Sequence, residues 1–135
     1  EVSKIFINQG IGGKILFNVS KQAVNPGKNF GSYGLPKSTL MFLLKQMALE
    51  LGQYNISVNG INADKIRSGI LTSDMIKKRS KSRGIDEKKY MTGNLLALEV
   101  EAKHVAEGFL SLSKTERTSA HILTVDGGNI EASLR

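Results

Sequence analysis

An α/β fold, built on a parallel sheet of about three strands with crossover helices, is what the pattern of apolar residues in this chain predicts. Two observations lead there. Three short apolar runs, KILFNV, ISVNGI and HILTV, read as buried strands. The stretches before and between them carry apolar residues at three- and four-residue steps, the spacing of one helical face. Strands that alternate with helices form parallel sheets. The chain has 135 residues, the size of one ordinary domain. No repeat, low-complexity tract or linker divides it.

Taken in order, Val2, Ile5 and Phe6 mark a helix over residues 1–9, and Gly10, Gly12 and Gly13 stop it. Lys14–Val19 is the first strand. Lys21–Gly31 holds Asn25, Pro26, Gly27, Asn29 and Gly31, and so is a loop. From Ser32 to Gln53 the recurrence of Leu40, Leu43, Leu44 and Met47 predicts a long helix, with Gly52 near its end. Pro36 conflicts with a helix interior, because it removes a hydrogen bond and crowds the preceding turn. It is tolerated within about the first turn. Ile56–Ile61 is the second strand and Asn62–Thr72 a loop. Ser73–Arg83 is a short basic helix over the surface. Ala102–Ser113 is a longer helix, apolar at Val105, Ala106, Phe109, Leu110 and Leu112. His121–Val125 is the third strand, ended by Asp126, Gly127 and Gly128.

Composition excludes several kinds of chemistry. There is no cysteine, so disulfides, thiolate nucleophiles and Cys-type zinc sites are out. That also fits a reducing cytoplasm. His104 and His121 lie far apart with no carboxylates spaced around them, and metal sites show as clusters, so no metal is expected. The acidic residues form no paired-carboxylate pattern. No run reaches the length of a membrane span. The opening EVSKIF has no basic start leading into an apolar stretch, so no signal peptide is expected. The formal charge of +7 raises a nucleic-acid partner. Its densest stretch, Lys77, Lys78, Arg79, Lys81, Arg83, Lys88 and Lys89, has only Tyr90 as an aromatic neighbour. It reads as a solvated, lysine-rich helix surface, and no nucleic-acid partner is expected.

The chemistry-bearing residues cluster near the start of the long helix. Tyr33 and Lys37 are four residues apart, on one helical face. An ammonium near a phenol favours the phenolate and readies it to exchange a proton with an alcohol. Alone, the pair reads equally as two partly exposed side chains at a helix start. Ser20 lies just past the KILFNV strand, and in an open parallel sheet ligands bind beyond the carboxyl ends of strands. A hydroxyl there can donate to a substrate oxygen as charge develops. An isolated serine in that place also reads as a capping residue.

The segment GGKILFNVS, the thirteen-residue step from Ser20 to Tyr33, and Tyr33-Gly34-Leu35-Pro36-Lys37 resemble the active-site region of short-chain dehydrogenases/reductases. The later ISVNGIN and Val125-Asp126-Gly127-Gly128 resemble that family's following strand and closing turn. The resemblance covers nearly the whole chain, in order. FNVSKQAVNPGKNFGSYGLPKSTL, INADKIRSGILT and LTVDGGNI are most similar to the dehydrogenase half of bifunctional rhamnulose-phosphate aldolase/alcohol (lactaldehyde) dehydrogenases.

The resemblance implies an NAD(P)-dependent interconversion of an alcohol and a carbonyl, with lactaldehyde or a small sugar-derived alcohol as the expected substrate. Tyr33 would be the general acid/base. Lys37 would assist Tyr33 and bind the nicotinamide ribose, and Ser20 would orient the substrate oxygen. Ala63, Asp64, Ile66 and Ser68 would join Tyr33 and Lys37 in contacting the cofactor, NAD being favoured over NADP. The family usually has Pro-Gly where this chain has Ala63 and Asp64, and a Thr where it has Ser68, which alters the loop beside the nicotinamide. In fold terms the resemblance implies the carboxyl-terminal half of a Rossmann-type doubly wound parallel sheet.

The family's amino-terminal half carries a glycine-rich turn that holds the cofactor pyrophosphate at a helix N-terminus. It also carries the residue that reads the adenine ribose. Neither is in this chain. Gly10-Ile11-Gly12-Gly13 follows a helix and precedes a strand, the reverse of the dinucleotide fingerprint. Residues 1–135 therefore read as a single partial domain lacking the dinucleotide-binding half, and as binding the cofactor poorly alone. The alternatives are a catalytically inactive fragment or a basic nucleic-acid-binding module. Three strands leave a sheet edge and apolar helix faces uncovered, so a homo-oligomer is expected.

Overall fold

The computed structural model describes residues 1–130. Its centre is a parallel sheet of β1 (Gly13–Asn18), β2 (Ile56–Ala63) and β3 (Ile122–Val125), in the order β1-β2-β3. β1 pairs with β2 from Gly13 opposite Ile56 to Asn18 opposite Ile61. β2 pairs with β3 from Gly60 opposite Ile122 to Ala63 opposite Val125. The central strand is covered on both faces, and Ile56, Val58, Asn59, Ile61 and Asn62 are all buried. Parallel strands sandwiched between helices carry such continuous apolar runs. Asn59 and Asn62 are the polar exceptions. Both ends of the Asn59 amide are used: Nδ2 donates to the Thr118 carbonyl at 2.8 Å, and Oδ1 accepts from the His121 amide at 3.0 Å.

Helix α1 (Val2–Gln9) stops at Gly10, whose φ of 67° lets its N–H reach the Phe6 and Ile7 carbonyls. Helix α2 (Gly31–Leu51) lays Leu44, Ala48 and Leu51 against Val19, Ile56, Val58 and Ile122, forming the main core. Successive residues of a strand face opposite ways. Gly60, on the face that carries Ile56 and Val58, leaves room for α2: a Cβ there would stand 2.7 Å from Leu44 Cδ1. Ile61 faces the other way, toward α5 (Ala102–Lys114), where a Cβ on Gly108 would meet Ile61 Cδ1 at 3.0 Å. The sheet is thus covered on both faces.

A second small core lies under α3 (Ser73–Ser82) and α4 (Glu87–Met91), where Ile76, Tyr90 and Met91 pack with Leu71 and Ile85. Thr72 and Asp86 cap the two helices by accepting from the Met75 and Lys89 amides.

Three sequence expectations need correction. Pro36 lies beyond the first turn of α2, and the helix runs through it. The hydrogen bond that proline forfeits belongs to the carbonyl of Ser32, which sits at the exposed start of the helix, where water serves instead. β2 extends past Ile61 to Ala63, because Asn62 and Ala63 pair with Thr124 and Val125. α3 is not merely a surface helix, since Ile76 and Ser80 are buried beneath it.

Leu44 is fully buried at the contact between α2 and β2. Leu44→Ala should lower the unfolding free energy by about 2–5 kcal/mol, the cost of a core cavity. Denaturant titration measures it, and an unchanged midpoint would contradict this packing.

Candidate active site

A cavity of about 640 Å³ opens beyond the carboxyl ends of β1 and β2. Ligand sites of doubly wound sheets occupy this place. Its wall includes Ser20, Tyr33, Ala63, Asp64, Ile66 and Ser68, so six of the seven site residues expected from sequence share one cavity. Lys37 lies outside the wall.

Ser20 sits two residues past β1. Its Oγ accepts from the Gln22 amide at 3.3 Å and caps a 3₁₀ turn over Lys21–Ala23. Capping occupies the oxygen as acceptor and leaves the hydroxyl proton to donate. Tyr33 lies in the first turn of α2, half-buried, edge-on to Phe30 with ring centroids 5.6 Å apart.

The first two turns of α2 are tied to the loop after β1. Gly34 is buried there, and a Cβ on it would meet the Gln22 carbonyl oxygen at 3.2 Å. Ser38 Oγ donates to the Ala23 carbonyl and Lys37 Nζ to the Asn18 carbonyl, each at 2.8 Å. Lys37 Nζ also stands 5.7 Å from the Tyr33 ring centroid. The lysine therefore anchors the end of β1 and places its charge beside the tyrosine from behind the wall. An ammonium has three donors, and bonding to Asn18 leaves two for other partners.

The segment after β2 supplies the opposite side. Asp64 Oδ2 accepts from Lys21 Nζ at 3.1 Å, and Lys65 Nζ is 3.8 Å from the same oxygen. Lys65 Nζ donates to the Tyr90 carbonyl at 3.0 Å. Burial pushes the Lys65 pKa down. The neighbouring charges of Lys21 and Arg83 push the same way, and Asp64 opposes them. Ser68 is exposed, and its Oγ accepts from the amides of Ile70 and Leu71, each at 3.2 Å. Its hydroxyl thus shapes the turn that follows β2.

Sequence reasoning missed the basic residues of this site. Lys21, Lys65, Arg79, Arg83 and Lys89 all line the cavity. From sequence alone Arg79 and Arg83 read as part of a solvated face, whereas both line the cavity. The signal was present in the spacing: Ile76, Arg79, Ser80 and Arg83 recur at three- and four-residue steps, and Ile76 and Ser80 are buried. Gly12 and Gly13 lie at the other end of the sheet. A Cβ on Gly12 would collide with the Asn55 carbonyl oxygen at 2.6 Å, so these glycines serve close packing. Among the described residues no group of three His, Asp or Glu side chains could hold a metal ion. His104 Nδ1 accepts from the Glu101 amide at the start of α5. No helix among them is long and apolar enough to cross a membrane.

Comparison with known proteins adds three matches and a family. The family model described as enoyl-(acyl carrier protein) reductase matches residues 1–129. The uncharacterized oxidoreductase YuxG of Bacillus subtilis is 32% identical over 136 residues, which cover 95% of this chain and 20% of that protein. Short-chain dehydrogenase reductase 3a of Arabidopsis thaliana is 29% identical over 128 residues, 93% of this chain and 48% of the relative. The structure of 7α-hydroxysteroid dehydrogenase complexed with NADH and 7-oxo glycochenodeoxycholic acid superimposes with a TM-score of 0.76 at 28% identity, covering 96% of this chain and 49% of that one. The chain thus spans about half the length of the last two and a fifth of the first. The three parallel strands with helices on both faces are Rossmann-like, the arrangement of that neighbour. On the extent of the family match and on this fold, the chain belongs to the short-chain dehydrogenase/reductase family of oxidoreductases.

Proposed function

We propose that this chain is the catalytic half of an NAD(P)-dependent dehydrogenase that interconverts an alcohol and a carbonyl, with NAD favoured. The observation that carries this reading is the convergence of Ser20 and Tyr33 on one cavity beyond the strand ends, with the Lys37 ammonium behind Tyr33. Tyr33 takes the hydroxyl proton of the alcohol, or returns it to the carbonyl oxygen. Ser20 donates a hydrogen bond to that same oxygen and orients it. Lys37 favours the phenolate through its charge.

The residues fit a nicotinamide. The cavity volume lies within the about 300–1,000 Å³ of small-molecule and cofactor sites. The loop from Ala63 to Ser68 forms one wall, and Lys37 keeps donors for a ribose. Asp64 brings a carboxylate to this wall, and its pairing with Lys21 compensates that charge. When bound, the nicotinamide supplies or accepts the hydride.

Within the family, the reading extends to the dehydrogenase half of aldolase-fused alcohol or lactaldehyde dehydrogenases. Its support is the FNVSKQAVNPGKNFGSYGLPKSTL segment and the match to YuxG. That relative is more than twice the length of the Arabidopsis one for a similar matched span. We read the protein as cytoplasmic, a reading supported by the absence of cysteine from these 135 residues, which fits a reducing compartment. It is read as a homo-oligomer because α2 exposes Leu35, Phe42 and Leu49, seven residues apart, as an uncovered stripe.

In the full-length protein, Tyr33→Phe should lower kcat for alcohol oxidation by about 10²–10⁴, the range of general acid/base catalysis, with little change in KM for NAD. Steady-state kinetics checks this, and full activity would sink the assignment. Phe42→Asp should shift the full-length protein to a smaller species in sedimentation velocity. A wild-type monomer would contradict the oligomer. The isolated 135-residue chain should bind NADH at least roughly tenfold more weakly than the full-length protein, because it lacks a pyrophosphate site. Fluorescence titration reads the difference, and equal affinity would overturn the partial-domain reading.

A further inference from the structure

The cavity carries an unbalanced charge. Its wall holds the cationic groups of Lys21, Lys65, Arg79, Arg83 and Lys89 against one carboxylate, Asp64, which Lys21 already engages at 3.1 Å. Among the described residues, neither Arg79 nor Arg83 has an ion-pair partner; the ion pairs there involve Lys4, Lys21, Lys65, Arg67 and Lys103.

Both guanidinium groups are instead set against aromatic rings. The Arg79 guanidinium carbon is 3.8 Å from the Phe30 centroid, and that of Arg83 is 5.2 Å from the Tyr90 centroid. Arg79 also donates to the Tyr90 hydroxyl at 3.5 Å. Phe30 in turn meets Tyr33 edge-on. The Arg79 guanidinium is therefore one ring away from the hydroxyl that would exchange the proton.

We propose that the substrate is an alcohol or carbonyl compound bearing an anionic group, a carboxylate or phosphate, that seats against Arg79 and Arg83 while its reacting oxygen meets Tyr33 and Ser20. This rests on the dehydrogenase reading and favours a charged alcohol or carbonyl compound over the uncharged lactaldehyde. A concave surface with surplus positive charge concentrates anions. A guanidinium fork matches carboxylate or phosphate geometry, and the charge-assisted bond is about twice as strong as a neutral one. Rings that hold the guanidinium groups in place reduce the ordering needed on binding. Ile70, Leu71 and Met75 line the same cavity and offer an apolar surface beside the contact. Arg79 is linked to Tyr33 through Phe30, which favours the substrate over the cofactor phosphates as the anion it meets.

The full-length protein with NAD is offered 3-hydroxybutyrate, glycerol 3-phosphate and, as an uncharged probe, butane-1,3-diol. One anionic probe should exceed the diol in kcat/KM by roughly tenfold or more, the scale of one hydrogen bond to a charged group. A lead for 3-hydroxybutyrate assigns a carboxylate, and a lead for glycerol 3-phosphate assigns a phosphate. Arg79→Gln and Arg83→Gln should each raise KM for that probe by roughly tenfold more than for the diol. Arg83 is exposed, so its variant remains informative if loss of the Arg79–Phe30 contact disturbs folding. Equal use of the diol, or variants that raise KM for NAD alone, would overturn the proposal. Calorimetric binding of the two anionic probes to the Tyr33→Phe protein separates this from the dehydrogenase reading. Binding weakened by Arg83→Gln without wild-type turnover of any probe would retain the anion site and sink the dehydrogenase. Binding that Arg83→Gln leaves untouched would sink the anion site.

Discussion

Helix α2 packs closely on the turn after β1 because residue 34 has no side chain. A Cβ there would meet the Gln22 carbonyl oxygen at 3.2 Å, closer than most such contacts. Around this point Lys37 binds the Asn18 carbonyl and Ser38 the Ala23 carbonyl. These ties bring Tyr33 to the cavity that Ser20 reaches from the strand side, thirteen residues earlier in the chain. The same helix continues through Leu44, Ala48 and Leu51 into the main core. Hydrophobic burial at its far end thus holds in place polar contacts at its near end that would be weak in water.

Charge is the second organising element. Asp64 brings a carboxylate to the cavity wall, held by Lys21 from the loop after β1. That pair joins the ends of two neighbouring strands across the site. Lys65 shows the strain of such crowding, since burial and two nearby cations depress its pKa. Desolvation of this kind disfavours the charged ammonium, and the sign for stability follows. Below its folded-state pKa the lysine carries a charge that burial opposes. As pH rises toward the ordinary value of 10.5 the folded protein sheds that proton before the unfolded chain does, so this group's contribution to stability improves.

Much of the architecture was legible in the sequence because it depends on local patterns. The three apolar runs became the three strands, and the periodic stretches became α1, α2, α3 and α5. The α4 helix was not legible. It is five residues long, EKKYM, and its stability comes from Asp86 capping and from the burial of Tyr90 and Met91 against Ile76. Short helices carry too few residues for periodicity to register. Pro36 was misjudged because its cost was weighed as an interior proline, whereas the carbonyl it deprives is solvent-facing. At the site, the placement of Ser20 and Tyr33 at one cavity could be anticipated from the strand–loop–helix order. The cationic wall could not, because it depends on the direction in which α3 lies against the Phe30 loop. Sequence spacing marks which α3 residues share a face but does not reveal what that face meets.

In the proposed reaction Tyr33 and Ser20 act on one substrate oxygen. A crystal structure of the protein with NADH and a bound alcohol or carbonyl would show it. That oxygen should lie within about 2.6–3.2 Å of both the Tyr33 hydroxyl and Ser20 Oγ, the reach of proton transfer and hydrogen bonding. A substrate oxygen held by other groups, with Tyr33 and Ser20 out of reach, would contradict it.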